Sequence, residues 1–184
     1  SSTVDGLGWM VGPYMAYKAP DQNLFFDARA AWGRSDNDIT TTGATGSFET
    51  ERWMASAKVS GLFRENGWNI RPAASVSYYK ETRESYTDST STVIGSQTFT
   101  QGEVRFGPTF SYDILQDNGS TLRPRFGVNG VWNFDVDNGA SSQGAVLGTG
   151  DIRARLDAGV TIVSTDLWNL DLSGFYDGIG INDY

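Results

Sequence analysis

The chain has 184 residues and a formal net charge of −8, and it reads as one domain over 1–184. That charge argues against a nucleic-acid surface, whose footprint is normally basic. Cysteine and histidine are both absent, which excludes disulfides and thiolate metal sites and removes imidazole acid–base chemistry.

Twenty-two glycines, six tryptophans, eight tyrosines and ten phenylalanines, with abundant Ser and Thr, favour a large antiparallel sheet with many turns. No apolar run reaches the roughly eighteen residues of a transmembrane helix. A membrane barrel stays open, because every second residue of its strands is free to be polar.

Eight strands are predicted in chain order. The first covers about 8–18, with Trp9, Val11, Pro13, Met15 and Tyr17 on one side. After the connection Pro20-Asp21-Gln22-Asn23, the second covers 24–34. It sorts Leu24, Phe26, Ala28, Ala30 and Trp32 from Asp27 and Arg29. A long polar loop is expected from Ser35 to about Glu49. The third strand, 51–64, turns Trp53, Ala55, Ala57, Val59 and Phe63 to one face and Arg52, Ser56, Lys58 and Arg64 to the other. Asn66-Gly67 is a strong hairpin signal.

The fourth strand, 68–80, carries Trp68, Ile70, Pro72, Ala74, Val76 and Tyr78 on its apolar face. A second polar loop is expected over 82–98. The fifth strand, 99–114, opposes Val104, Phe106, Pro108, Phe110 and Tyr112 to Glu103, Arg105, Thr109, Ser111 and Asp113. The turn Gln116-Asp117-Asn118-Gly119 leads to the sixth, 122–135. There Leu122, Pro124, Phe126, Val128, Trp132 and Phe134 alternate with Arg123, Arg125, Asn129, Asn133 and Asp135. The third long loop is 136–149. The seventh strand, 150–163, alternates Ile152, Ala154, Leu156, Ala158 and Val160 with Arg153, Arg155 and Asp157. Past a turn near Thr165-Asp166, the eighth opposes Leu170, Leu172, Gly174 and Tyr176 to Asp171, Ser173, Phe175 and Asp177. Pro13, Pro72, Pro108 and Pro124 fall inside strands, where a missing donor implies a bulge or shifted boundaries.

A period of two is a strand signature. A soluble all-β sandwich or binding module would also alternate. Three features favour an antiparallel up-and-down transmembrane β-barrel. The apolar stripes are about ten residues or longer, enough for a tilted strand to cross a bilayer. Aromatics gather toward segment ends, at Trp9, Trp32, Trp53, Trp68, Tyr78, Trp132, Phe134 and Trp168, as in membrane-interface girdles. Mid-strand charges of both signs would be costly in a packed core but not in a wet lumen.

Bacterial outer-membrane barrels have short periplasmic turns and longer extracellular loops. The turns near 21, 66, 118 and 166 are then expected in the periplasm and the three long loops outside. Both chain ends fall on the extracellular side, whereas complete barrels of this type place both in the periplasm. The expectation is a partial barrel that lacks at least one strand at each end.

Several stretches carry a family resemblance. They are Gly12-Pro13-Tyr14, Leu24 to Arg34, Phe48 to Arg52, Gly67-Trp68 through Pro72 and Tyr78, Gly102-Glu103-Val104-Arg105-Phe106-Gly107-Pro108, and Ser173-Gly174-Phe175-Tyr176-Asp177. The motifs are individually loose, but in order and spacing they resemble the C-terminal translocator barrel of monomeric autotransporters, the type V secretion proteins. The resemblance covers nearly the whole chain. It implies a twelve-strand barrel, of which about eight strands are present here. It also implies partners: outer-membrane lipid, the barrel assembly machinery, and the protein's own N-terminal passenger with its linker helix.

The candidate lumen-lining residues are Arg29, Arg52, Lys58, Arg71, Glu103, Arg105, Arg123, Arg125, Arg153, Arg155, Asp157 and Asp171. Their expected role is to hydrate a channel and hold a polar helix or a passing chain; structural ion pairing within the wall is the alternative. Gly33, Gly107, Gly127 and Gly159 either leave room for a helix or ease curvature. No catalytic constellation, cofactor or metal site is expected. The acidic pairs Asp36/Asp38 and Asp135/Asp137 lack the spacing of a calcium loop and read as solvated charge. The alternative function is a small closed eight-stranded barrel acting as anchor or adhesin.

Overall fold

A computed structural model describes residues 2–20, 22–137, 150, 152–165 and 168–180. Among them thirteen strands occur: β1 (Thr3–Val11), β2 (Tyr14–Lys18), β3 (Leu24–Thr41), β4 (Ala44–Gly61), β5 (Phe63–Glu65), β6 (Trp68–Arg83), β7 (Tyr86–Thr87), β8 (Val93–Ile94), β9 (Gln97–Tyr112), β10 (Ile114–Leu115), β11 (Thr121–Asp137), β12 (Ile152–Val163) and β13 (Asn169–Ile179). The main sheet runs β1-β3-β4-β6-β9-β11-β12-β13, while β2, β5 and β10 pair with β3, β6 and β11. Every pairing is antiparallel and the order of the main path follows the chain order, as an up-and-down meander requires. Among the described residues β1 and β13 do not pair with each other, so the path is open and does not close on itself as an eight-stranded barrel.

Three expected strands are each split in two, and the splits coincide with proline. Gly12-Pro13 separates β1 from β2. Leu62 separates β4 from β5, across from Arg71-Pro72. Asp113 separates β9 from β10, across from Arg123-Pro124. Pairing resumes beyond each gap in the same register: Val11 opposes Trp32 and Tyr14 opposes Arg29; Ser60 opposes Ala73 and Phe63 opposes Ile70. The β9–β11 ladder also lapses between its Gly127/Thr109 and Gly130/Phe106 pairs, over Gly107-Pro108. Each proline therefore interrupts hydrogen bonding without shifting a strand. The register shifts of the described ladders lie elsewhere, between Asn133 and Asp135 on β11 and between Ala154 and Arg155 on β12.

The connections correct two expectations. Residues 35–49 are not a loop. β3 and β4 continue as a paired hairpin as far as Thr41 opposite Ala44, closed by Thr42-Gly43 with Gly43 at φ 101°. The polar composition misled because a hairpin beyond a membrane edge meets water on both faces and needs no apolar alternation. Within 82–98, β6 extends to Arg83 and β9 begins at Gln97, and the β7–β8 hairpin lies between them. The third loop, 136–149, is strand to Asp137, and its remainder lies outside the described residues. Asn66-Gly67 does form a tight turn, at φ 51° and 84°, the left-handed pair that a two-residue hairpin selects.

The sheet has no apolar core. Val131 is the only fully buried apolar side chain among the described residues, while Leu7, Phe106, Phe126, Leu172 and Tyr176 are widely exposed. A soluble sandwich would bury such side chains against a second sheet. A single layer with its apolar face uncovered needs another apolar phase.

Candidate lumen and lipid-facing surfaces

The register sorts the two faces across the whole sheet. One row of directly opposed residues reads Asp27, Lys58, Ser75, Arg105, Val131 and Arg153. The row beside it reads Met15, Ala28, Ala57, Val76, Val104, Trp132 and Ile152. Neighbouring residues of a strand point to opposite faces, so polar and apolar rows alternate. By the same parity Arg29, Arg52, Lys58, Arg71, Glu103, Arg105, Arg123, Arg125, Arg153, Arg155, Asp157 and Asp171 all share the polar face.

Half of that face is wired by ion pairs. Glu103 accepts from Arg105 Nη2 at 3.0 Å and from Arg153 Nη2 at 3.2 Å. Arg153 Nε reaches Asp177 at 2.8 Å. Asp177 lies 3.7 Å from Arg155, whose Nε donates to Asp157 at 2.9 Å, and Asn129 donates to the other Asp157 oxygen at 2.9 Å. The chain of contacts thus crosses β9, β11, β12 and β13. The Arg155 guanidinium also lies 3.7 Å over the Phe175 ring. Toward the β12–β13 turn end, Arg125 donates to Asp171 at 2.6 Å and to Thr161 at 2.7 Å. A Cβ at Gly159 would press on the Arg125 guanidinium, so that glycine gives Arg125 its path to Asp171. Arg123 pairs with Asp113. On the same face but toward the β1 edge of the sheet, Arg52 pairs with Glu81 at 2.7 Å, and Tyr79 donates to the same Glu81 oxygen. Arg29 donates to Ser56 at 3.1 Å.

Between these networks lies a trough of about 660 Å³. Lys58, Arg64, Arg71, Arg105, Arg123 and Arg125 line it, against a single carboxylate, Glu103. Among the described residues, Lys58 and Arg71 have neither a hydrogen-bond nor an ion-pair partner. The trough floor is small: Ala73 and Gly107 face each other between those cations.

The apolar face carries two aromatic groups. At the hairpin end Trp9 meets Trp32 edge-on at 4.9 Å, Trp32 meets Trp53 at 6.0 Å, and Phe134 lies 5.8 Å from Trp132 and 6.3 Å from Tyr78. The Trp32 indole donates to Glu51 at 2.7 Å. At the other end Trp68 packs on Tyr112 at 5.2 Å, and Trp168, just before β13, is half exposed. Such contacts contribute about 0.5–1.5 kcal/mol each beyond area burial. Ring body in hydrocarbon and N–H or O–H in water is the arrangement of interface aromatics.

Glu81, Asp177 and Asn133 also belong to this face, beyond the candidate lumen residues of the sequence. Parity was enough to find Asp177, which follows Asp171, Ser173 and Phe175 at steps of two. Glu81 shares parity with Arg71, but it borders the segment expected to be loop. Among the described residues no group of three or more acidic side chains is arranged to hold a metal ion.

A single antiparallel layer with one charged face and one uncovered, aromatic-banded face has the form of an outer-membrane β-barrel wall. The chain belongs to the autotransporter β-domain family, whose description, "Autotransporter beta-domain", matches residues 1–174. Among solved structures, the crystal structure of the β-domain of the Bordetella autotransporter BrkA is similar. It is 23% identical, with a TM-score of 0.63, over 96% of this chain and 68% of that one. At that identity the likeness is one of fold. No curated protein matches. Family membership is consistent with a bacterial outer-membrane location and with type V secretion.

Proposed function

We propose that the chain forms the wall of a translocator that anchors an N-terminal passenger and exports it to the cell surface. The apolar face meets lipid and the charged face lines the lumen. Partners are then the passenger and its linker, the surrounding lipid and the barrel assembly machinery, and the chain performs no chemistry of its own. In this reading the β3–β4 and β7–β8 hairpins project outside the cell, and Asn66-Gly67 and Gln116–Gly119 turn in the periplasm. The observation that carries the reading is the cationic trough. Lys58 and Arg71 stand exposed in it without a hydrogen-bond or ion-pair partner among the described residues, beside four arginines and a single carboxylate, Glu103, so the trough is open to a group of negative charge. An acidic stretch of the linker or passing chain supplies that charge.

The test uses the barrel with its parental passenger. Lys58→Glu together with Arg71→Glu slows arrival of the passenger at the surface by about tenfold, a barrier change of about 1.4 kcal/mol, while heat-modifiable mobility shows the barrel still assembles. Unchanged export in an assembled double variant contradicts the role given to the trough.

A further inference from the structure

Past the hairpin end of β6 and β9 the chain makes a second, smaller hairpin that is a body in itself. The β6–β9 ladder ends at Arg83 opposite Gln97. Between them Tyr86 opposes Ile94 and Thr87 opposes Val93. The turn is closed by its own polar contacts. Asp88 accepts from the backbone N–H groups of Thr90 and Thr92 at 2.8 and 2.9 Å, and its own N–H donates to the Thr92 carbonyl at 3.0 Å. Two residues on each side, Glu84-Ser85 and Gly95-Ser96, join the hairpin to the sheet.

Register fixes the face to which it is fastened. β3 and β4 pair without a shift from Leu24/Gly61 to Thr41/Ala44, so Gly46 and Phe48 share the face of Arg52 and Lys58. On β6, Arg83 shares the face of Arg71 by the same parity. The Tyr86 ring lies on this charged face. It stacks on Phe48 at 5.3 Å, and a Cβ at Gly46 would come within 2.6 Å of it. The Arg83 guanidinium lies 5.9 Å from the centre of the Phe48 ring and 5.8 Å from that of Tyr86, and it donates to the Gly95 carbonyl at 3.0 Å. Near the tip, the Ser89 N–H donates to the Thr45 carbonyl at 2.8 Å, and the Ser89 hydroxyl accepts from the Thr45 N–H at 3.0 Å.

A two-stranded hairpin of this size is marginal alone. It is held by one ring, one guanidinium and a few hydrogen bonds close to water, so its release belongs among low-cost local openings. The missing side chain at Gly46 is what lets the ring rest on the charged face. A β-branched residue there would lift it off. At the other connection, a Cβ at Gly95 would meet nothing within 4 Å, so the backbone has room to turn.

We infer that the β7–β8 hairpin is a lid at the outer mouth of the lumen, closed with Tyr86 seated on Gly46 and Phe48 and open when that ring leaves. The inference rests on the translocator reading above. Tyr86 is the latch, and Glu84-Ser85 and Gly95-Ser96 are the hinges. The closed lid hinders large solutes and yields to a chain leaving through the mouth.

The experiment uses the parent protein in intact cells, with Ser77→Cys on the charged face, where Ser77 opposes Ser56 and Glu103. Two thiol reagents are added outside in turn: a small charged methanethiosulfonate, and a maleimide carrying a long polyethylene glycol. Tyr86→Ala removes the latch. Gly46→Val removes its seat and keeps the hairpin sequence intact, so it serves if Tyr86→Ala does not assemble. The small reagent is expected to react at the same rate with and without the latch. The long reagent is expected to react about tenfold faster in either variant, the effect of losing a ring stack together with its cation–π contacts. Equal rates for the long reagent overturn the lid. A cysteine at 77 that even the small reagent does not reach contradicts the water-filled lumen instead, so failure of the lid and failure of the translocator reading are distinguishable.

Discussion

Glu103 sits at the junction of the strand-to-strand ion pairs, with its side chain only 16% exposed and two guanidinium groups on its two oxygens. Arg153 is the more enclosed partner, at 6%. Removing one member of a buried charged network leaves the other uncompensated, which costs more than the pair contributes net. Glu103→Gln keeps the shape and removes the charge, so Arg153 retains Asp177 alone and Arg105 loses its ion pair. The expected loss is about 3 kcal/mol, measured as a shift in the urea midpoint of the protein in lipid vesicles. A conservative exchange on the exposed pair of Arg34 and Glu51, 3.9 Å apart, falls within about 0.5 kcal/mol by the same measurement. Charge-bearing parity along the strands was legible in the sequence, and so the residues of this face were foreseeable. Which carboxylate meets which guanidinium was not, because that follows from inter-strand register and from the two bulges, which no single strand encodes.

At the scale of elements, the strands that cross the apolar zone were readable and the ones beyond it were not. From Leu24 to Trp32 one face is apolar and the alternation is plain. From Ser35 to Thr41 both faces are polar, yet the same ladder continues. The information there is carried by backbone hydrogen bonding and by the Thr42-Gly43 turn rather than by hydropathy. The β7–β8 hairpin is likewise built from local polar contacts. Asp88 accepts from the Thr90 backbone N–H at 2.8 Å, the Thr90 hydroxyl at 2.7 Å and the Thr92 backbone N–H at 2.9 Å. Hydrogen bonds from Thr90 and from the Thr92 backbone hold the Asp88 carboxyl below its ordinary value of 3.8. Since the folded value is depressed, the turn's contribution is fully present above that ordinary value and is lost as pH falls through the lowered one. Thr90 and Thr92 amide resonances therefore stay fixed from neutral pH down to about pH 4 and move together below it. A transition above that range contradicts the assignment. Tyr86 carries the hairpin back onto β4, stacked on Phe48 at 5.3 Å with Arg83 over both rings. That docking joins residues nearly forty positions apart, and nothing in either local pattern announces it.

For the whole molecule, the decisive fact is where the apolar side chains are. The described residues make one layer whose large apolar groups face outward with no protein against them, and whose charges gather on the other side around a trough of about 660 Å³. In water such a surface would drive association. In a bilayer it is the low-energy arrangement, with ladder hydrogen bonds satisfying the backbone. Among the described residues, the outer strands β1 and β13 do not pair with each other. Unpaired edges in hydrocarbon are costly.

The chain has no cysteine, so single cysteines placed along one strand report each face without background. Successive cysteines from Pro72 to Tyr79 on β6, in protein reconstituted with lipid, give the most direct test. Positions 73, 75, 77 and 79 react with a charged, membrane-impermeant thiol reagent, and a bimane label at positions 74, 76 and 78 is quenched by brominated lipid. Strict alternation is the predicted result. Reagent access at every position, or lipid quenching of both parities, would contradict the assignment of one face to lipid and the other to a water-filled lumen.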